Sequence, residues 1–213
     1  MKLSGIKIAV LELYLFYRVS FSLRENDYML SLLNPVSYYW LMFTILTGIW
    51  EATFVTHRYY VKKNAKRLIR KKQHVWTNEY TLSTILPWNL SKNFYSEYGA
   101  YADREYMSVN NPWSFVIEGT HAVFCGSMAA LSIYSRSCHH IRLSNVQMAI
   151  SMGTQLMNSI LYMAEYYIQT KSPCSVNYDT PRFPVGKLCC KRPFMYINLF
   201  WTIMPLYVLG RLM

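Results

Sequence analysis

Charge is what this sequence has least of. Only 15% of its 213 residues are Asp, Glu, Lys or Arg, against about 25% in an ordinary soluble domain. More than half, 53%, are apolar, which shifts the composition toward that of a membrane protein. Acidic residues are scarcer still: 11 Asp and Glu face 22 Lys and Arg, a formal net charge of +11. Spread over a surface, that excess would suggest a nucleic-acid partner. Here the bases concentrate in one tract, His57–Lys72 (HRYYVKKNAKRLIRKK), directly after an apolar run. A basic block in that position sets orientation and meets anionic lipid headgroups. No nucleic acid is therefore expected as a partner, and a lipid bilayer is. Internal repeats and low-complexity stretches are lacking, as is the small-residue cleavage site of a removable signal peptide. The cysteines, Cys125, Cys138, Cys174, Cys189 and Cys190, match no zinc or CxxC spacing. No metal site is expected, at His139-His140 or elsewhere. Cys125 reads as packing. Cys174 and the Cys189-Cys190 pair share one loop, where a disulfide would need a luminal setting.

Long apolar runs are what the sequence does have. A bilayer core of about 30 Å needs about 20 mostly apolar residues in a helix. Four runs qualify: Val36–Thr56, Trp113–Tyr134, Asn145–Ile168 and Pro193–Leu212. Asn34-Pro35 before the first and Asn110-Asn111-Pro112 before the second suit an N-cap followed by Pro at the first helical position. A weaker run, Ile6–Leu23, contains Glu12 and Arg18 and reads as a spanning or an interfacial helix. The expected fold is thus an all-α integral membrane bundle of four to five transmembrane helices. It divides into an N-terminal segment, 1–30, and a bundle over 31–213 with helices at about 36–56, 113–134, 145–168 and 193–212. Asn64–Asn111 reads as a long polar segment whose aromatics, among them Trp76, Trp88, Tyr95 and Tyr98, suit an interface belt. The positive-inside rule puts the basic tract in the cytoplasm and the C-terminus in the lumen.

Polar residues recur inside these runs at helical spacing. Thr44, Thr47, Glu51 and Phe54 share one face, as do Glu118, His121, Cys125 and Ser132. Gln147, Ser151, Thr154, Asn158 and Glu165 form a third stripe, and Asn198, Trp201 and Pro205 a fourth. Ionisable groups in such runs are costly and face the interior, so each is a functional candidate. The bland alternative is a hydrogen bond between helices, and it is favoured for Thr47, Ser151, Thr154 and Cys125. Stripes on four helices most economically meet in one cavity. Carboxylates and a histidine there suit acid–base chemistry, and a tryptophan face suits a developing cation. The pattern allows proton transfer on an apolar substrate, a proton relay, or a pocket for amphiphilic amines.

Four stretches resemble the EXPERA-domain family, which includes sterol Δ8–Δ7 isomerases and related binding proteins. EYGAYADREY (Glu97–Tyr106) is similar to the family's E-Y-G/A-K-x-D-x-R-Y element. VIEGTHAVFCGSMAALSIY (Val116–Tyr134), SMGTQLMNSILYMAEY (Ser151–Tyr166) and NLFWTIMP (Asn198–Pro205) are similar to three of its helical segments. The resemblance implies a membrane bundle with a sterol-sized cavity, multi-pass in the endoplasmic reticulum, acting on a sterol without a cofactor. It implies catalysis by Glu51, Glu118 and His121, with substrate bound by Asn198, Trp201, Thr47 and Asn158. Glu118 with His121 would protonate the alkene and Glu51 would take the C7 proton. The C-terminus it implies is cytoplasmic, opposite to the charge rule, and a homodimer is left open. Two departures matter. Thr47 stands where the isomerases have the histidine of H-x-x-x-E, and His121 where they have threonine. Either the imidazole has moved to the facing helix, or the chain binds sterols without converting them.

Overall fold

The computed structural model describes residues 2–108, 116–117 and 119–212. The chain opens on a short strand, β1 (Lys2–Ser4), and a long helix, α1 (Gly5–Glu25). After one turn, α2 (Tyr28–Ser31), comes the longest helix, α3 (Pro35–Lys71). β2 (Glu79–Thr81) pairs antiparallel with β1, Leu3 opposite Tyr80. α4 (Pro87–Tyr101), α5 (Gly119–Ser137) and α6 (Ile141–Lys171) follow, then the single turn α7 (Phe194–Ile197) and α8 (Phe200–Gly210).

Local chemistry sets the helix ends. Asp27 Oδ1 accepts from the backbone N–H groups of Met29 and Leu30 and starts α2. Asn34 Oδ1 accepts from Ser37 N at 3.1 Å, and Pro35 follows at the first helical position of α3. α3 kinks at His57 (φ −115°, ψ 21°) and ends at Lys72 in the left-handed region. Gly5 lets the start of α1 lie against the chain after α3. A Cβ there would come within 2.1 Å of the Val75 carbonyl oxygen, and Gly5 N donates to Asn78 O.

α3 is the central element. It packs against α4 on one side and α5 on the other, α5 packs against α6, and α6 against α8. At the α3–α5 crossing Gly48 faces Gly126 backbone to backbone. One buried cluster gathers Leu30, Tyr38, Leu41, Met42, Met148 and Met152. A second gathers Phe54, Tyr95, Tyr98, Tyr106, Tyr162 and Tyr166.

The fold corrects the expected integral membrane bundle. Among the described residues, no helix is long and apolar enough to cross a membrane. The apolar runs were rich in Tyr, Trp, Ser and Thr, which add little to transfer into hydrocarbon. α3 carries Glu51 within its apolar half and then continues through the basic tract. α6 mixes Arg142, Asn145, Gln147, Asn158 and Glu165 with its apolar residues, and α1 holds Lys7, Glu12, Arg18 and Arg24. The last run breaks at Asn198–Leu199, leaving α8 with 11 residues. About 20 are needed to span. The expected second run begins in residues outside the described set, as does Asn110-Asn111-Pro112. The segment read as polar and interfacial differs most. Asn64–Lys71 completes α3, and α4 occupies its middle. The buried face of α4 sets Ser91, Asn93, Ser96, Glu97 and Gly99, small and polar residues that hydropathy scores as loop, beside Leu90, Tyr95, Tyr98 and Ala100. Tyr95 and Tyr98 belong to the core. All five cysteines are free thiols.

Candidate functional site

A cavity of about 310 Å³ lies where α3, α4, α5, α6 and the α7–α8 corner converge. Ligand pockets start at roughly this size. Thr47 and Glu51 enter it from α3, His121 from α5 and Asn158 from α6. Asn198 and Trp201 enter from the break between α7 and α8. Each stripe thus sends at least one member to this space, the third only Asn158, whereas Ser132, Gln147, Ser151, Thr154, Glu165 and Pro205 do not line it. Glu118, assigned with them from sequence, lies outside the described residues.

Glu51 is 8% exposed. Its Oε1 accepts a short hydrogen bond from Tyr95 OH, and its Oε2 is buried with no hydrogen-bond partner among the described residues. Burial pushes its carboxyl up to about 7, opposed by the Tyr95 bond. Glu12 of α1 repeats the pattern just behind the wall. Its Oε1 accepts from Trp50 Nε1 at 3.1 Å, and burial pushes its carboxyl up to about 7. A carboxyl poised near neutrality can both give and take a proton.

The wall beside Glu51 is aromatic. Phe43 stacks on Trp201 at 5.6 Å with ring planes 15° apart, and meets Trp50 edge-on at 6.1 Å. Trp50 packs on Phe94 at 5.7 Å. Such ring faces attract positive charge.

His121 and Thr47 are committed to the backbone. His121 Nε2 lies 3.1 Å from the Thr154 carbonyl oxygen, which can only accept, so this nitrogen carries the proton. Cys125 Sγ lies 3.2 Å from the same nitrogen. Burial lowers the His121 pKa, so the ring is neutral near pH 7. The Thr47 hydroxyl donates to Thr44 O at 3.0 Å.

Periodicity missed the phenolic part of the lining. Tyr98 from α4 and Tyr162 from α6 form it, with hydroxyls 2.7 Å apart. Tyr162 OH donates to Asp103 Oδ2 at 2.8 Å. Asp103 is 1% exposed, just after α4. Its Oδ1 accepts from Asn177 Nδ2 at 2.7 Å and from Glu105 N at 2.9 Å. Burial pushes the Asp103 carboxyl up from its ordinary value, opposed by these bonds and by the charge of Arg192. The EYGAYADREY element, singled out as a motif, holds Tyr98 and Asp103 and was the one available signal. Among the described residues no cluster of His, Cys, Asp and Glu could hold a metal ion.

No protein-family model, curated protein or solved structure matches the chain.

Proposed function

We propose that the chain is a sterol Δ8–Δ7 isomerase that shifts a ring double bond by acid–base catalysis. The observation that carries this reading is Glu51 Oε2, a carboxyl oxygen with no hydrogen-bond partner among the described residues, in an aromatic-walled cavity. An acid delivers a proton to C9 of the C8=C9 alkene, which leaves a carbocation at C8. The C7–H bond then breaks, its electrons form C7=C8, and Glu51 takes the proton. The aromatic faces of Trp201 and Trp50 stabilise the cation between the steps. Atoms and electrons balance without a cofactor. Glu118 is the assigned acid on sequence grounds. The neutral, backbone-bonded His121 is a positioning group for α5 and α6 rather than the proton donor. Asn198, whose Nδ2 donates to Tyr98 OH at 3.2 Å, orients the phenolic part.

A second reading is favoured by the backbone commitments of Thr47 and His121, which leave no imidazolium beside Glu51. On that reading the cavity binds sterols without turnover. Expression in cells lacking their own isomerase, with sterol analysis by mass spectrometry, decides between the two. Conversion of Δ8- to Δ7-sterol that is lost in Glu51→Gln supports the isomerase. Persistent Δ8-sterol despite good expression rejects it and leaves the binding protein.

A further inference from the structure

The phenolic part of the cavity lining has a fixed hydrogen-bond polarity. Asp103 Oδ1 is occupied by two donors, Asn177 Nδ2 and Glu105 N. Its Oδ2 takes the one proton Tyr162 has to give. The Tyr162 oxygen can then only accept from Tyr98, at 2.7 Å. Met195 Sδ, at 3.8 Å from Tyr98 OH, is a weak alternative. The Tyr98 proton is thus drawn away from the cavity, and its oxygen can only accept: one lone pair takes Asn198 Nδ2 at 3.2 Å and the other is left for a ligand. Asn198 points the same way. Its Nδ2 is spent on Tyr98 OH and on Phe194 O, at 3.2 and 3.4 Å. Its Oδ1 accepts no hydrogen bond among the described residues.

We infer that Tyr98 and Asn198 form a subsite that accepts a hydrogen bond from a ligand hydroxyl, with Asp103 setting its polarity through Tyr162. Tyr98 and Asn198 touch the ligand. Asp103 and Tyr162 are positioning residues. The subsite makes the cavity selective for an apolar alcohol over the corresponding ketone or ester, which bring only acceptors. Two facing acceptors with no proton between them leave buried lone pairs unsatisfied. The inference rests on the cavity being the substrate site, and it adds which polar end the substrate carries.

The chain also contains the means to reverse it. In Asp103→Asn the carbonyl keeps the Asn177 and Glu105 bonds, and the new amide faces Tyr162 as a donor. Tyr162 then donates to Tyr98, and Tyr98 donates into the cavity. The test titrates a Δ8-3-hydroxysterol and its 3-ketone, carried in cyclodextrin, into the full chain. Quenching of Trp50 and Trp201, which line the cavity, reports binding. The expected result is roughly tenfold or greater preference for the alcohol in the wild type. Asp103→Asn should remove or invert it at unchanged helix content. Tyr98→Phe removes one of the two acceptors without touching Asp103 and should weaken the preference even if Asp103→Asn fails to fold. Equal affinity for alcohol and ketone in the wild type overturns the inference, as does binding of neither. So does a preference undiminished in Tyr98→Phe. Turnover without alcohol preference sinks the subsite and leaves the isomerase, whereas preference without turnover does the reverse.

Discussion

Gly126→Ala and Gly153→Ala are the same chemical change with opposite expected signs. Both glycines lie inside helices, α5 and α6. In each case alanine gains about 1 kcal/mol of helix propensity over glycine. At Gly153 a Cβ meets nothing within 4 Å, so the gain stands alone. At Gly126 a Cβ would lie 3.1 Å from Gly48 Cα and 3.1 Å from Thr44 O, both backbone atoms of α3. Neither can swing aside, so α3 and α5 must part by a few tenths of an ångström. Overpacking of this kind costs about 1–3 kcal/mol. Gly153→Ala should therefore stabilise by about 1 kcal/mol, and Gly126→Ala should be neutral to destabilising by about 2 kcal/mol. In thermal unfolding followed by circular dichroism, that places Gly126→Ala roughly 2–12 °C below Gly153→Ala for a chain of this size. Combining Gly48→Ala with Gly126→Ala should cost less than the sum, because one separation of the helices accommodates both methyls. Thr44 and Thr47 of α3 and His121 and Cys125 of α5 all line the cavity beside this crossing, so the Gly126 variant should bind cavity ligands more weakly. If Gly126→Ala melts with or above Gly153→Ala, the two helices do not meet at these glycines, and the placement of Glu51 opposite α5 fails with them.

The remaining expectations concern charge. Glu51 stays protonated up to about 7 in the fold, against an ordinary 4.5. Its contribution to stability is therefore full below about 4.5 and is lost as pH rises through about 7, by roughly 3 kcal/mol at most. Denaturant titrations across pH 4–8 should show this decline, and Glu51→Gln should remove Glu51's share while Glu12, also raised to about 7, keeps its own. Turnover needs the ionised base, so its pH profile should rise through about 7. Decline unchanged in Glu51→Gln refutes the assignment. Arg192, 0% exposed, donates to Tyr166 OH, Asn177 O and Phe183 O and lies 3.4 Å over the Phe183 ring. Lysine cannot reproduce that planar fork. Arg192→Lys should cost about 2 kcal/mol and speed proteolysis within residues 172–191, and equal cleavage rates would show that Arg192 does not hold this loop.

Features that depend on a few neighbouring residues could be read directly from the sequence. Asn34-Pro35 makes an N-cap by its own chemistry, and α3 begins there. The polar stripes needed only helical spacing, which is why Thr47, Glu51, His121, Asn158, Asn198 and Trp201 could be picked out before their shared cavity was seen. Where length and apolarity were judged by counting aromatic and hydroxyl residues as hydrocarbon, the reading failed. Tyr and Trp are amphipathic, and here they spend their polar ends inside the protein. Trp40 Nε1 donates to Gln155 Oε1 at 2.9 Å, Trp50 to Glu12, and Tyr166 OH to Ala102 O at 2.7 Å. A helix of such residues is buried by satisfying its polar atoms against other helices.

The same difference explains why the phenolic part of the lining could not be found in the sequence. A stripe depends on one helix, whereas the direction in which Tyr98 points its proton depends on Tyr162, sixty-four positions along the chain, and on the carboxylate beyond it. Nothing in either local sequence sets that direction. It arises because Asp103 closes α4 where Asn177 and Glu105 N already fill one of its oxygens, leaving the other for Tyr162. Polarity is thus inherited along a chain of single protons, each donor having only one to give. A carboxylate at the far end fixes all of them at once. One substitution that exchanges an acceptor for a donor at Asp103 should therefore change the chemistry of the cavity wall two side chains away, while altering no residue that touches the ligand.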